Sequence, residues 1–213
     1  MRAASTRADW ADAAADLAGR HRLADKLHGR HGPPHDIRRT PPAGRFASLA
    51  RAIAYQQLSG KAAATIWGRV AATVGDPLDP AAVAATSHDD LRAAGLSNAK
   101  ALAVADLAAR ALDGTLDLRA TTRMADDEVV AHLCRVRGIG PWTAQMFLIF
   151  DLGRTDVWPT GDLGVRAGWA KATGADMVAS ERDFGPVGEP FAPHRSVMAW
   201  WCWCEADAGE GTW

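Results

Sequence analysis

Apolar residues recur at intervals of three to four along almost the whole chain, and this spacing constrains the fold more than any other feature of the sequence. Val, Ile, Thr, Tyr and Phe nowhere alternate with polar residues as they would in a half-buried strand. The pattern predicts an all-α protein. The sequence shows no internal repeat and no composition change that would mark a domain boundary. The predicted helices cover residues 9–27, 46–54, 60–70, 81–85, 89–94, 98–112 and 129–137, with further helices from 141 and from 163 and a proline-rich loop at 31–44.

Length, charge and cysteine content restrict the class of protein. A chain of 213 residues with 48% hydrophobic and 23% charged residues can bury a core of its own. Three cysteines cannot form an even disulfide framework, and no apolar run approaches the roughly 18 residues that a membrane span needs. We therefore expect a monomeric, cytoplasmic protein that does not bind membranes. Because the net charge is only -1, any contact with nucleic acid must be local.

The segment Gly138-Ile139-Gly140-Pro141 predicts a tight turn between two helices. Glycine tolerates positive φ, Ile139 can point inward, and proline suits the first position of the following helix. That second helix is apolar on nearly every side, so we expect it to be central and buried. The turn aims backbone N–H groups outward, which would bind phosphate without cationic side chains; an ordinary corner between two helices is the alternative.

Four motifs together resemble those of a known family. Leu133-Cys134-Arg135-Val136-Arg137-Gly138-Ile139-Gly140-Pro141-Trp142-Thr143-Ala144 resembles the hairpin of the helix-hairpin-helix (HhH-GPD) superfamily of base-excision DNA glycosylases. The segments 51–63, 91–100 and 156–166 are similar to others in its alkylbase branch, the short form of the 3-methyladenine DNA glycosylase II type. The resemblance covers about residues 45–205.

The resemblance implies a compact, two-lobed helical fold with the active-site cleft between the lobes. We expect residues 1–213 to form a single glycosylase domain, with the helix-hairpin-helix at about 126–151. The central lobe would then comprise about 56–150, and the second lobe about 1–55 plus 163–213.

The same resemblance assigns the catalytic carboxylate to Asp162, about twenty residues after the hairpin. Asp162 could instead only cap the helix that begins at Leu163, and Asp156 is a weaker rival for the catalytic role. Relatives that also cut the strand carry a lysine where this chain has Trp142, which predicts a monofunctional enzyme without lyase activity.

No cofactor is expected to be required. Three cysteines are too few for an iron–sulfur cluster in one chain, and we expect no metal site, although the family resemblance allows a monovalent cation at the hairpin carbonyls.

The resemblance also suggests which residues hold the base and the DNA, although core packing remains the alternative for each tryptophan taken singly. The predicted base pocket comprises Tyr55, Trp142, Met146, Trp158 and Trp203. The predicted DNA-binding residues are Gln56, Gln57, Leu58, Ser59, Arg137, Gly138, Ile139, Gly140 and Thr143. One of the first three is expected to fill the space that the flipped base leaves in the stack.

These features favour a monofunctional DNA glycosylase of base excision repair. It would act on damaged double-stranded DNA and excise flipped alkylated purines, chiefly 3-methyladenine with 7-methylguanine as a second candidate, to leave an abasic site. Two alternatives stay open at this point: a glycosylase for deaminated or oxidised bases, and a non-enzymatic helix-hairpin-helix module that only binds DNA.

Overall fold

The computed structural model describes residues 7–35, 37 and 39–207, and within these ranges the chain forms helices and turns without strands, which confirms the all-α prediction. The α-helices are α1 (Arg7–Arg20), α2 (Arg22–His31), α3 (Arg45–Tyr55), α4 (Gly60–Val74), α5 (Pro80–Ala85), α6 (His88–Ala93), α7 (Asn98–Leu112), α8 (Asp126–Leu133), α9 (Pro141–Met146), α10 (Leu163–Thr173), α11 (Glu181–Phe184) and α12 (Arg195–Asp207). Short 3-10 turns occur at Pro42–Gly44, Ala120–Thr122 and Pro186–Phe191, and a π-helical turn occurs at Phe147–Asp151. None of these helices is both long and apolar enough to cross a membrane within the described ranges.

The chain divides into two compact units. The first, which we call the hairpin unit, spans Thr40–Phe147, and the second, the terminal unit, joins Arg2–Arg39 with Leu148–Trp213. The predicted lobes placed residues 40–55 with the chain ends, whereas in this division residues 40–55 belong to the hairpin unit, where α3 packs on α4 and α7. The two ends of the predicted 1–213 domain, residues 1–6 and 208–213, lie outside the described residues.

The first predicted helix is two helices rather than one. His21 adopts an extended conformation between α1 and α2, and the two helices pack against each other. Leu17 and Leu27 are both fully buried. A continuous helix over 9–27 could not fold back on itself, so pairing of the two shorter helices buries apolar surface that the longer helix would leave in water.

In the terminal unit, α10 and α12 pack closely through a glycine. A Cβ on Gly168 would lie 1.7 Å from the backbone oxygen of Cys202, so no larger residue fits there without moving a helix. This close approach matters for the site because α10 begins directly after Asp162 and α12 carries Trp203.

Candidate active site

The hairpin has the turn that its glycines predict. Gly138 has φ +77°, and a Cβ there would lie 3.1 Å from the Cβ of Ala103 on α7, so both the backbone conformation and the space favour glycine. Ile139 is buried, and Pro141 is the first residue of α9, as predicted. Helix α8 ends at Leu133 instead of near Arg137, because residues 134–137 already form the turn.

The helix after the hairpin differs from the expected buried, central helix. Helix α9 has only six residues, and Trp142 on it is 45% exposed. The π-helical turn that follows changes the register of the side chains, and Phe150 within it is 40% exposed. An apolar sequence on every side therefore does not produce burial on every side here.

Helix α7 anchors the entry to the hairpin through Asp106. Its Oδ2 accepts a hydrogen bond of 2.8 Å from the Arg137 N–H and pairs with Arg110 Nε at 2.9 Å. Burial acts to raise the pKa of Asp106, but the Arg137 N–H and the Arg110 guanidinium together hold this pKa below its ordinary value. The Arg137 side chain remains exposed, whereas its backbone N–H is already used inside the hairpin unit.

The hairpin amides differ in what they could offer a phosphate. The Ile139 N–H donates to the Val136 carbonyl, while the N–H groups of Gly138 and Gly140 have no partner among the described residues. Thr143 was predicted to contact DNA, but its side chain is buried and its Oγ1 lies 3.3 Å from Gln56 Nε2. We correct that assignment, because a buried hydroxyl bonded within the protein does not reach DNA.

The corner after α3 presents a short exposed tip. Gln57 has φ +57°, and Leu58 is exposed beside it. Gln56 Nε2 donates to the Gly138 carbonyl at 2.9 Å, so Gln56 ties the corner to the hairpin, and Gln57 and Leu58 are the more exposed candidates for insertion. Ser59 is exposed at the N-cap position of α4, and its side chain makes no capping hydrogen bond.

Tyr55 and Met146, both predicted for the base pocket, are half-buried in the hairpin unit. Tyr55 ends α3, its hydroxyl accepts a hydrogen bond from Arg51 at 3.2 Å, and the Arg51 guanidinium lies 4.8 Å from its ring centre. Their pocket roles stay predictions.

In the terminal unit, Asp162 is the N-cap of α10 and is only 7% exposed. Its Oδ1 accepts two hydrogen bonds, from the Val165 N–H at 2.8 Å and from Trp203 Nε1 at 2.9 Å. A Cβ on Gly164 would lie 3.0 Å from Trp203 Cδ1, so glycine at this position lets the indole approach. Capping is thus part of what Asp162 does, and the indole N–H gives its carboxylate a second fixed contact.

Phe150 was missed by the sequence analysis. Its ring centre lies 5.6 Å from that of Trp203, which is only 4% exposed. Phe150 therefore presents an exposed aromatic surface next to the indole that contacts Asp162. No sequence signal marked it, because its exposure depends on the π-helical turn.

Three further residues have structural partners. Trp158, predicted for the base pocket, is buried, donates from Nε1 to the Phe184 carbonyl at 2.9 Å and stacks on the Phe184 ring at 4.9 Å, so we reassign it to the core. Arg166 is buried, and its guanidinium donates to the carbonyl of Ala179 at 2.7 Å. Asp156 forms an ion pair with Arg195 at 2.8 Å, which fits the structural role expected of this rival carboxylate.

The described residues do not supply a ready metal site. No three His, Cys, Asp or Glu side chains come together in those ranges. The carbonyls of Val136 and Gly138 in the hairpin already accept hydrogen bonds from Ile139 and Gln56. Burial raises the pKa of Cys204 to about 11, so this thiol stays protonated at neutral pH.

Comparison with known proteins places this arrangement in a family. Residues 50–183 match the HhH-GPD superfamily of base excision DNA repair proteins. DNA-3-methyladenine glycosylase 1 of Schizosaccharomyces pombe is 30% identical over 181 residues, which is 84% of this chain and 78% of that protein. The structure of the S. pombe 3-methyladenine DNA glycosylase in complex with abasic DNA has a TM-score of 0.83 at 27% identity and covers 95% of this chain and 100% of that chain.

A DNA-3-methyladenine glycosidase from Bacillus halodurans has a TM-score of 0.80 at 30% identity and covers 98% of this chain and 94% of that one. The region matched by the superfamily contains the corner after α3, the hairpin and Asp162. The sequence match, the helical fold and the hairpin geometry agree, and the chain belongs to the HhH-GPD superfamily of base excision DNA repair proteins.

Proposed function

We propose that this protein is a monofunctional DNA glycosylase that releases alkylated purines, chiefly 3-methyladenine, from double-stranded DNA. The observation that carries the proposal is the buried carboxylate of Asp162, held by Trp203 and the start of α10. The similarity to S. pombe and B. halodurans proteins with this activity in their names supports the substrate class.

Asp162 has the chemistry that bond cleavage needs. The C1′–N bond breaks with its electron pair moving to the departing base, so a cationic alkylpurine leaves as a neutral molecule. Positive charge develops on the sugar, and a fixed carboxylate stabilises that charge. Water then adds to C1′ and loses a proton, leaving an abasic site. The two hydrogen bonds to Oδ1 fix the orientation of the carboxylate before the substrate binds.

The lysines support hydrolysis without strand cleavage. The chain has only four, and none lies between Lys100 and Lys171, where the hairpin and Asp162 are found. Trp142 stands where a Schiff-base lysine would be needed. Lys100 Nζ donates to the carbonyls of Ala54 and Gln56 at 2.8 and 2.6 Å, so its amine is engaged at the end of α3.

An aromatic surface favours a cationic base. Trp142 is exposed, and an indole face attracts a cation by about 0.5–2 kcal/mol while stacking on any base. Asp162 stabilises charge on the sugar and does not protonate the base in this proposal, so the departing base must already be a good leaving group. Alkylated purines meet that requirement because their positive charge weakens the glycosidic bond.

The decisive experiment is base release under single-turnover conditions. Duplex DNA methylated to contain 3-methyladenine and 7-methylguanine is incubated with wild type, Asp162→Asn or Asp176→Asn, and the released bases are identified by chromatography. Asparagine is also a good N-cap, so Asp162→Asn removes the negative charge and keeps the cap. Asp176 is an exposed aspartate of the same unit and serves as the matched control.

We expect Asp162→Asn to slow base release by about 100-fold or more, as removal of a preorganised electrostatic contact typically does, with Asp176→Asn near wild type. Faster release of hypoxanthine or 8-oxoguanine than of 3-methyladenine would favour the deaminated or oxidised substrate class. Tight binding to damaged DNA with no released base would favour a binding module.

A further inference from the structure

The side chain of Lys100 on α7 caps the C-terminal end of α3 with hydrogen bonds. Its Nζ donates to the carbonyl of Ala54 at 2.8 Å and to that of Gln56 at 2.6 Å. These two carbonyls belong to the last turn of α3 and to the residue that follows it. Carbonyls at a helix C-terminus carry partial negative charge, so a lysine ammonium is a favourable partner there.

Among the described residues, neither carbonyl accepts a hydrogen bond from a backbone N–H. The chain leaves the helix at Gln56, and the Leu58 N–H bonds to the Tyr55 carbonyl at 3.3 Å instead of continuing the α-helical pattern to Ala54. Lys100 therefore supplies hydrogen bonds that the backbone does not make at this corner. Unpaired, part-buried carbonyls would cost stability.

The next residue, Gln57, adopts a strained conformation. Its φ of +57° is in the left-handed region, which residues other than glycine rarely adopt. Such strain persists only where the surrounding structure holds it. The Gln56 carbonyl held by Lys100 belongs to the peptide directly before Gln57, and the Gln56 side chain is held by the Gly138 carbonyl at 2.9 Å. Gln56 is thus fixed at both its backbone and its side chain.

We propose that Lys100 is a positioning residue that orients the exposed Gln57–Leu58 tip for insertion into the DNA duplex. This inference rests on the proposed function, since insertion matters only when a base is flipped out of the stack. Lys100 itself does not touch DNA in this proposal. Its effect passes through the Gln56 peptide to the tip.

The test compares Lys100→Met, which keeps the length of the chain and removes the donors, with Lys100→Arg, which keeps donors and charge. Lys26→Met is the matched control, because Lys26 is exposed on α2 in the other unit. Three quantities are measured: amide hydrogen exchange of the corner in the free protein, single-turnover base release, and fluorescence of 2-aminopurine placed opposite an abasic-site analogue. Affinity for the same DNA is recorded alongside.

We expect Lys100→Met to speed exchange of the Leu58 amide, to reduce the 2-aminopurine signal, and to slow base release about ten- to a hundredfold, as loss of charged hydrogen bonds of about 1.5–3 kcal/mol would do. Affinity for abasic DNA should change little, and Lys100→Arg should recover most of the rate. Combined with Gln57→Ala and Leu58→Ala, Lys100→Met should add almost no further loss, because its effect passes through that tip.

Four results would each overturn the inference. Lys100→Met could release base at the normal rate, leave amide exchange at the corner unchanged, or add its full loss of rate to that of the tip substitutions. The fourth result is a Lys100→Arg variant that behaves like Lys100→Met. If Lys100→Met does not fold under the assay conditions, Lys100→Gln replaces it in every comparison; its shorter, uncharged side chain keeps a weaker donor, so the same effects are expected at a smaller size. If the wild type releases no base, the proposed function fails. In that case the 2-aminopurine signal alone decides whether Lys100 orients the tip.

Discussion

Replacing Trp203 with phenylalanine removes one hydrogen bond to Asp162 and keeps most of the buried aromatic ring. In the wild type, Trp203 Nε1 and the Val165 N–H both donate to the same carboxylate oxygen, at 2.9 and 2.8 Å. In Trp203→Phe the carboxylate keeps the Val165 amide and loses the indole N–H, one of the contacts that orient it. A hydrogen bond to a charged group contributes about 1.5–3 kcal/mol, so base release should slow by about ten- to a hundredfold.

Trp201→Phe is the matched control for this prediction. Trp201 is also on α12 and fully buried, but its Nε1 donates to the Gly32 carbonyl at 2.8 Å instead of to Asp162. Both substitutions should lower the free energy of unfolding to a similar degree, by about 1–3 kcal/mol, since each leaves a buried or part-buried acceptor with one donor fewer. Only Trp203→Phe should slow the chemical step.

The assay is single-turnover release of 3-methyladenine, with urea unfolding of the same protein samples. Near wild-type release by Trp203→Phe would refute the view that its N–H orients Asp162. Equal slowing by Trp203→Phe and Trp201→Phe would also refute it, because a general loss of stability would then explain both.

Three other predictions concern separate parts of the molecule. Trp142→Ala should slow release of cationic bases about two- to thirtyfold, from the loss of an attraction of about 0.5–2 kcal/mol, and should affect neutral bases less; chromatography of released bases checks this. Borohydride should trap no covalent complex between wild type and DNA, and product strands should stay intact until alkali is added; strand cleavage by pure protein would contradict the monofunctional proposal. Asp106 has a lowered pKa, so its stabilising effect is complete above its unfolded pKa of about 3.9 and is lost as the pH falls toward the lower folded value. Asp106→Ala should therefore lower the urea midpoint at pH 6 and lose less stability than wild type between pH 5 and 3, whereas parallel pH curves for the two proteins would contradict the anchoring role of this carboxylate.

Much of the fold could be predicted because helix formation depends on local patterns. Helical spacing alone located α3 through α7 with errors of a few residues, and the glycines and proline of the hairpin predicted its turn. The catalytic candidate Asp162 was found from its motif, and its position as a helix N-cap followed from the proline and glycine before it. These are short-range features, so neighbouring residues carry most of the information.

The side-chain partners depended on the tertiary structure. Trp158 and Trp203 are equally apolar residues, yet one packs on Phe184 and the other donates to Asp162. The sequence could not separate them, because the choice depends on how α10 and α12 pack at their glycine contact, and those helices are distant in the chain. Phe150 was missed for a similar reason, since a π-helical turn changes which side of a helix faces solvent.

The sequence by itself determined that this chain is helical, that a glycine hairpin joins α8 and α9, and that an aspartate follows at the start of α10. Only the tertiary structure decided that Gln56 anchors the corner after α3 to the hairpin while Gln57 and Leu58 form its exposed tip. The physical reason is that helix and turn preferences are set by neighbouring residues. Hydrogen bonds such as those from Gln56 to the hairpin and from Lys100 to the end of α3 join segments that are 82 and 44 residues apart, and they exist only once the chain has folded.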